Sequence, residues 1–180
     1  MTAAELVRDF VNTRDRLDGV ELLGSPAGLD DWLDQNGLDR GGASGSASDL
    51  RRAVELREAL RQLLLANTGL AVDADAASAV LDRVARHARV ELRVAAGAGE
   101  LAPAAAGVPA ALGRIVVAVH AALADGSWAR LKACRAADCE WAFIDNAKNH
   151  SRAWCSMRSC GNREKARAFR VRQRERSSSR

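Results

Sequence analysis

Cys134-Arg135-Ala136-Ala137-Asp138-Cys139 and Cys155-Ser156-Met157-Arg158-Ser159-Cys160 contain all 4 cysteines of the 180-residue chain, as two matched Cys-x4-Cys pairs with fifteen residues between them. A tetrahedral zinc ion needs four soft or borderline donors, and two short loops joined by a longer connector supply them as two pairs of thiolates. The spacing therefore predicts one zinc ion held by Cys134, Cys139, Cys155 and Cys160. Four thiolates close its coordination sphere. A catalytic zinc keeps one position for water with an acid or base beside it, so this ion is expected to be structural. Asp145 and His150, in the connector, are the substitute ligands to weigh, but a loop histidine beside Asn and Ser is ordinarily solvated. A disulfide, redox or iron site is the weaker reading of the same cysteines.

Compartment favours metal. The N-terminal Met1-Thr2-Ala3-Ala4-Glu5 lacks a basic region followed by an apolar stretch, and no apolar run approaches the roughly 18 residues of a membrane span. A cytoplasmic protein with no membrane segment is expected. Thiols are kept reduced there, so paired cysteines at ligand spacing are read as metal-bound.

Around the cysteines, Arg130-Leu131-Lys132 and Trp141-Ala142-Phe143-Ile144 read as two short strands, and a helix is expected from about Asn162 to Arg174, with Asn162 as N-cap and Glu164 in its first turn. So few large apolar side chains cannot bury enough surface alone, and the metal must contribute to folding. Strong chelation is expected to unfold this unit and spare the rest. Trp141, Phe143 and Trp154 are read as its small core rather than as base-stacking groups, with Trp154 shielding the metal.

Arg130-Leu131-Lys132-Ala133-Cys134, Asp138 to Asp145, Arg152-Ala153-Trp154-Cys155-Ser156-Met157 and Cys160-Gly161-Asn162-Arg163 together resemble the CGNR zinc finger, over roughly Ser127 to Arg176. The chain departs from the family pattern at Glu140, where a small residue is usual, and in the connector Asn146-Ala147-Lys148-Asn149-His150; no ligand is affected. Leu6-Val7-Arg8-Asp9-Phe10-Val11-Asn12-Thr13 looks like the opening of the ABATE domain, a helical domain of stress-induced transcription regulators that precedes such fingers. The resemblance implies a treble-clef-like finger, made of a short hairpin and a basic helix, behind a helical domain.

Charge is divided the same way. Residues 130–180 hold 14 Lys+Arg against 5 Asp+Glu, while residues 1–129 hold 13 against 18. On a helix starting near Asn162, Arg163, Arg167, Arg170 and Arg174 form one stripe, flanked by Ala166, Phe169 and Gln173 on a side that can pack. Like charges at that spacing repel by a few tenths of a kcal/mol per pair, so helix stability alone does not account for them. Lys165, Arg172 and Arg176 widen the patch. A solvated C-terminus is the plain alternative. Beside a metal-clamped loop, the helix is read as a nucleic-acid surface using Asn162, Arg163, Lys165, Arg167, Arg170 and Arg174. Double-stranded DNA is favoured through the family resemblance.

The N-terminal part reads as helices between breakers. One carries Leu6, Val7, Phe10 and Val11; a second starts at Ser25-Pro26, carries Leu29, Trp32 and Leu33, and stops at Asn36-Gly37. Beyond a flexible loop at Gly41 to Ser46, the longest helix runs from about Ser48 to Asn67, with Leu50, Val54, Leu56, Leu60, Leu63 and Leu64 as its apolar face. A helix from about Asp75 to His87 carries Val80, Leu81 and Val84. Alternation at Val90, Leu92 and Val94, a turn at Gly97-Ala98-Gly99 and Glu100-Leu101-Ala102 then predict a hairpin whose return strand Pro103 limits to an edge. A mostly apolar helix from about Pro109 to Ala124 should be largely buried, and Asp125-Gly126-Ser127 marks a boundary.

The expected fold class is thus mainly α with small β (α+β): a helical domain over 1–126, a zinc finger over 127–176 and a disordered tail over 177–180. No phosphate loop, metal-binding histidine pair or nucleophile elbow is present, so no enzyme is expected. Asp9, Asn12 and Thr13 are read as capping and turn residues rather than a ligand pocket. His87 and His120 have no special role, and Arg14, Asp15, Arg16 and Asp18 form a solvated charge run. A small-molecule or protein signal would act at the helical domain, and a homodimer is compatible with the sequence. The function expected from these readings is DNA-binding transcriptional regulation; the alternative is a zinc-stabilised protein-interaction adaptor.

Overall fold

The computed structural model describes residues 1–95 and 97–178. The elements are α1 (Ala3–Val11), α2 (Pro26–Gln35), α3 (Ala47–Asn67), α4 (Ala74–His87), β1 (Val90–Ala95), β2 (Ala98–Pro103), α5 (Gly107–Ala124), β3 (Leu131–Ala133), β4 (Ala142–Ile144) and α6 (Asn162–Ser178). Side chains start the first four helices by accepting orphan N–H groups of the first turn: Thr2 with Glu5 and Ser46 with Asp49 as capping boxes, Ser25 ahead of Pro26, and Asp73. Gly37, Gly69 and Gly126 follow α2, α3 and α5 in the left-handed region that ends a helix.

α1, α3 and α5 meet in one core through Val7, Phe10, Val11, Leu56, Leu60, Leu64, Leu112 and Ile115. The face α3 buries differs from the expected one. Leu50, Val54 and Leu63 are half-buried, while Arg57 and Arg61 lie inside with Ala53, Leu56, Leu60 and Leu64. The core continues into the cysteine-bearing segment: β3 and β4 pair with Leu131 opposite Ile144, and Leu131, Ala133 and Ala142 belong to the same apolar cluster as the helices.

α5 corrects the expectation that no run is long and apolar enough to cross a membrane, since its 18 residues have a mean hydropathy of 1.6. It is a helix of the core, with Val108, Leu112, Ile115 and Val119 buried, although Leu123 is exposed. The β1–β2 hairpin forms as the alternation predicts, but Leu92 and Val94 face solvent. Only its base reaches α5. A Cβ on Gly113 would come within 2.5 Å of Ala88 Cβ and 3.1 Å of Pro103 Cβ, so glycine permits that close approach. Ala98 and Gly99, expected in the turn, belong to β2.

α6 packs chiefly against the turn before it, Met157–Gly161. Ala166 and Phe169, expected to pack, are exposed. The helix also continues through Ser177 and Ser178, expected as disordered tail; Ser179 and Arg180 lie outside the described residues.

Candidate metal centre and its basic helix

Two backbone devices set up the cysteines. Cys134 directly follows β3 and donates its N–H to Trp141 O, while Cys139 and Glu140 both donate to Ala136 O, closing a turn in which Glu140 takes a left-handed φ of 49°. In the second pair, the Ser156 side chain accepts from Ser159 N and starts a π-type turn, Met157–Gly161, that carries Cys160. Arg135 N donates to Ala153 O and ties the two loops together. A tetrahedron with Zn–S bonds of about 2.3 Å has S···S edges of about 3.8 Å. Cys139 Sγ and Cys160 Sγ each lie 3.7 Å from Cys155 Sγ, and all four sulfurs lie within 4.8 Å of one another. Ala136, Trp141 and Trp154 pack against them, and none forms a disulfide.

Four thiols this close compete for charge. Hydrogen bonds from Cys139 and then Cys155 pull Cys134 down to about 2; contact with Cys134 pushes Cys139 up and is the first cause of a rise to about 12 at Cys155. A divalent cation at the centre removes that conflict, because coordination deprotonates thiols outright. Donor set, spacing and burial fit one structural zinc ion.

The connector has its own clamp. Asp145, with no exposed surface, accepts from Lys132 Nζ at 2.7 Å, from Ala147 N and from Arg152 N, and Lys132 also donates to His150 O. Burial alone would raise the Asp145 carboxyl, but Lys132 and the two backbone donors hold it below its ordinary value. Asp145 is thus committed to Lys132, and His150 is exposed. Phe143 is buried beneath the Arg152 guanidinium, 4.9 Å from its ring centre.

Polar side chains from the helical domain grip the finger. Asn12 pairs with Ala142 as another strand would: its Nδ2 donates to Ala142 O at 3.0 Å and its Oδ1 accepts from Ala142 N at 2.8 Å. Arg61 donates to Glu140 O and to Val11 O, both at 2.8 Å, and pairs with Glu58. Asn67 Nδ2 donates to Trp128 O and Leu131 O, and Thr68 Oγ1 donates to Ala133 O. Arg16, expected in a solvated run, forms ion pairs with Glu140 and Glu58. Burial pushes the Glu140 carboxyl up, opposed by Arg16 and Arg61. Thr13 does have the expected turn role, donating to Phe10 O, and Asp9 pairs with Arg8. Asn12, read as a capping or turn residue, does close α1 at its C-cap, but its side-chain pairing with the finger, and the role of Arg61, were missed by sequence reasoning. Arg57 and Arg61, four apart between Leu56, Leu60 and Leu64, carried the available signal: charges placed on an apolar helix face.

The six residues expected to contact nucleic acid divide into two anchoring arginines, three exposed cations and Asn162. Arg163 Nη2 lies 3.1 Å from Asp138 Oδ1 and 3.4 Å from Cys160 Sγ, and Arg167 pairs with Asp138 and Glu164. These two arginines anchor the helix to the first cysteine loop. Asn162 is not an N-cap: its φ of −68° and ψ of −37° continue the helix out of the preceding turn, because Ser156 has already started it. Lys165, Arg170 and Arg174 are exposed, and no ion pair involves them among the described residues.

A family model for the CGNR zinc finger matches residues 130–173, and one for ABATE, described as a "putative stress-induced transcription regulator", matches residues 4–137. Neither is a family of enzymes. No curated protein matches the chain.

Proposed function

The chain belongs to the ABATE family, the one described as a "putative stress-induced transcription regulator", and carries a CGNR zinc finger, and from that premise we propose that it regulates transcription by binding double-stranded DNA through α6. The observation that carries this reading is the exposed pair Arg170 and Arg174, one helical turn apart, with exposed Lys165 and Arg172 on the other side of a helix that leaves the body of the protein from a metal-clamped turn. Arginine forks suit phosphate oxygens and the guanine edge, and a rigid base fixes the direction in which the helix is presented. The helical domain is where a signal would be received, and its grip on the finger through Asn12, Arg61, Asn67 and Thr68 is a route by which it reaches the DNA-binding end.

The test is fluorescence anisotropy of a labelled duplex titrated with zinc-loaded protein at several salt concentrations. Lys165, Arg170 and Arg174 are changed to Ala together; Arg163 and Arg167 are kept because they hold Asp138. Binding is expected to weaken, and the slope of log K against log salt to become shallower by about 3, one unit per lost phosphate contact. No binding by the unmodified protein at low salt rejects the proposal. The adaptor reading then takes its place, supported by Phe169 and Val171, which are 56% and 49% exposed on the same helix.

A further inference from the structure

β1 presents an unpaired edge whose sequence is complementary to itself. Ala104 N donates to Arg89 O at 3.0 Å while Arg89 N turns back to Arg86 O, so Arg89 and Ala104 hold one bond of a hydrogen-bonded position at the base of the hairpin. Such pairs alternate along an antiparallel ladder. In the observed register Glu91 with Ala102 and Arg93 with Glu100 therefore exchange bonds, and the backbone N–H and C=O groups of Val90, Leu92 and Val94 point away from β2. Among the described residues no other strand takes them up. The side chains of this stretch are open as well: Glu91 and Arg93 are exposed, Leu92 is 66% exposed and Val94 71%. Edge strands are usually blunted by lysine, proline, a bulge or a covering segment. β1 reads Val90-Glu91-Leu92-Arg93-Val94-Ala95, with neither lysine nor proline. A two-stranded hairpin is also marginal alone and gains from further strands.

We infer that this edge pairs with the same edge of a second copy of the chain, about a two-fold axis at Leu92, making a four-stranded antiparallel sheet across the dimer. In that register Leu92 meets its own counterpart, Val90 meets Val94, and Glu91 meets Arg93 twice. The outward-pointing residues Val90, Leu92 and Val94 supply the hydrogen-bonded pairs. Glu91 and Arg93 then fall at the closer non-hydrogen-bonded positions, where opposite charges help and like charges hurt. The interface is isologous, as closed dimers require. Charge complementarity selects a second copy over an unrelated strand. The inference does not depend on DNA binding, since every residue it uses lies outside α6.

Sedimentation velocity on the full zinc-loaded chain, from low to high micromolar concentration, tests it. The unmodified protein is expected to dimerise. Glu91→Lys sets two like-charge pairs against Arg93 of the second copy and should raise the dissociation constant by about tenfold or more. Leu92→Asp sets two carboxylates at the axis and should do the same. Within its own hairpin Glu91 faces only Ala102, so E91K leaves the fold of the monomer intact, which far-UV circular dichroism checks. Mixing E91K with Arg93→Glu restores both opposite-charge pairs, and a heterodimer should form from two variants that are each monomeric. A wild-type protein that stays monomeric at all concentrations overturns the inference. So does a dimer that survives both E91K and L92D, because its interface then lies elsewhere.

Discussion

Asn12 shows how one side chain can stand in for a strand. Its amide satisfies both backbone groups of Ala142, at 3.0 and 2.8 Å, and removing it leaves a partly buried N–H and C=O without partners. Asn12→Ala is expected to destabilise the zinc-loaded protein by about 1–3 kcal/mol, read from the urea midpoint; an unchanged midpoint would show that water replaces the amide freely. Asp145 carries a different load, because Lys132 beside it is only 5% exposed. Asp145→Asn leaves that ammonium without its counter-charge and should cost about 3 kcal/mol at neutral pH, the low end for a buried ion pair that loses one partner. The pH dependence has a definite sign. The carboxyl is held below its ordinary value of 3.8, so its contribution is present above that value and is lost as pH falls through the lower folded-state value. The gap between wild type and D145N should therefore narrow in acid, and a gap that widened would contradict the assignment.

The elements differ in how firmly they are held. α5 meets the hairpin base at Gly113, and the 2.5 Å separation from Ala88 Cβ leaves no room for a methyl group against backbone-fixed neighbours. Gly113→Ala, although favourable to an isolated helix, should lower stability by about 1–3 kcal/mol through overpacking, seen as a fall in thermal midpoint. If the midpoint instead rose by the usual gain of alanine in a helix, the hairpin must shift at no cost. α6 has the opposite character, with one end fixed by Arg163 and Arg167 on Asp138 and the remainder exposed. Most helices were legible because caps, glycine stops and apolar spacing are local signals. The burial of α3 was less so: Arg57 and Arg61 point inward because Glu140, Val11 and Glu21 place acceptors there, and charges on an apolar face hint at burial without naming those partners, which lie outside α3.

At the scale of the molecule, the finger hairpin and the helices share one core, since Leu131, Ala133 and Ala142 pack with α1, α3 and α5. Zinc removal should then act unevenly. Chelation is expected to broaden or shift the amide resonances of residues 146–178, which depend on Cys155 and Cys160, while those of α1, α3 and β3 persist. Collapse of the whole spectrum would mean that the metal supports the shared core, and an unchanged spectrum that it supports neither part. The sequence by itself determined the four zinc ligands, the starts and stops of α1 to α4, the α+β class and the division of charge, because each is written in residue type and short spacing. Only the tertiary structure decided that Asn12 and Arg61 bind the finger, that Arg163 and Arg167 hold Asp138, and that the apolar face of β1 looks outward. Those outcomes depend on which groups meet across up to 130 residues of chain, and a side chain's partners at that range are set by packing geometry rather than by its neighbours in sequence.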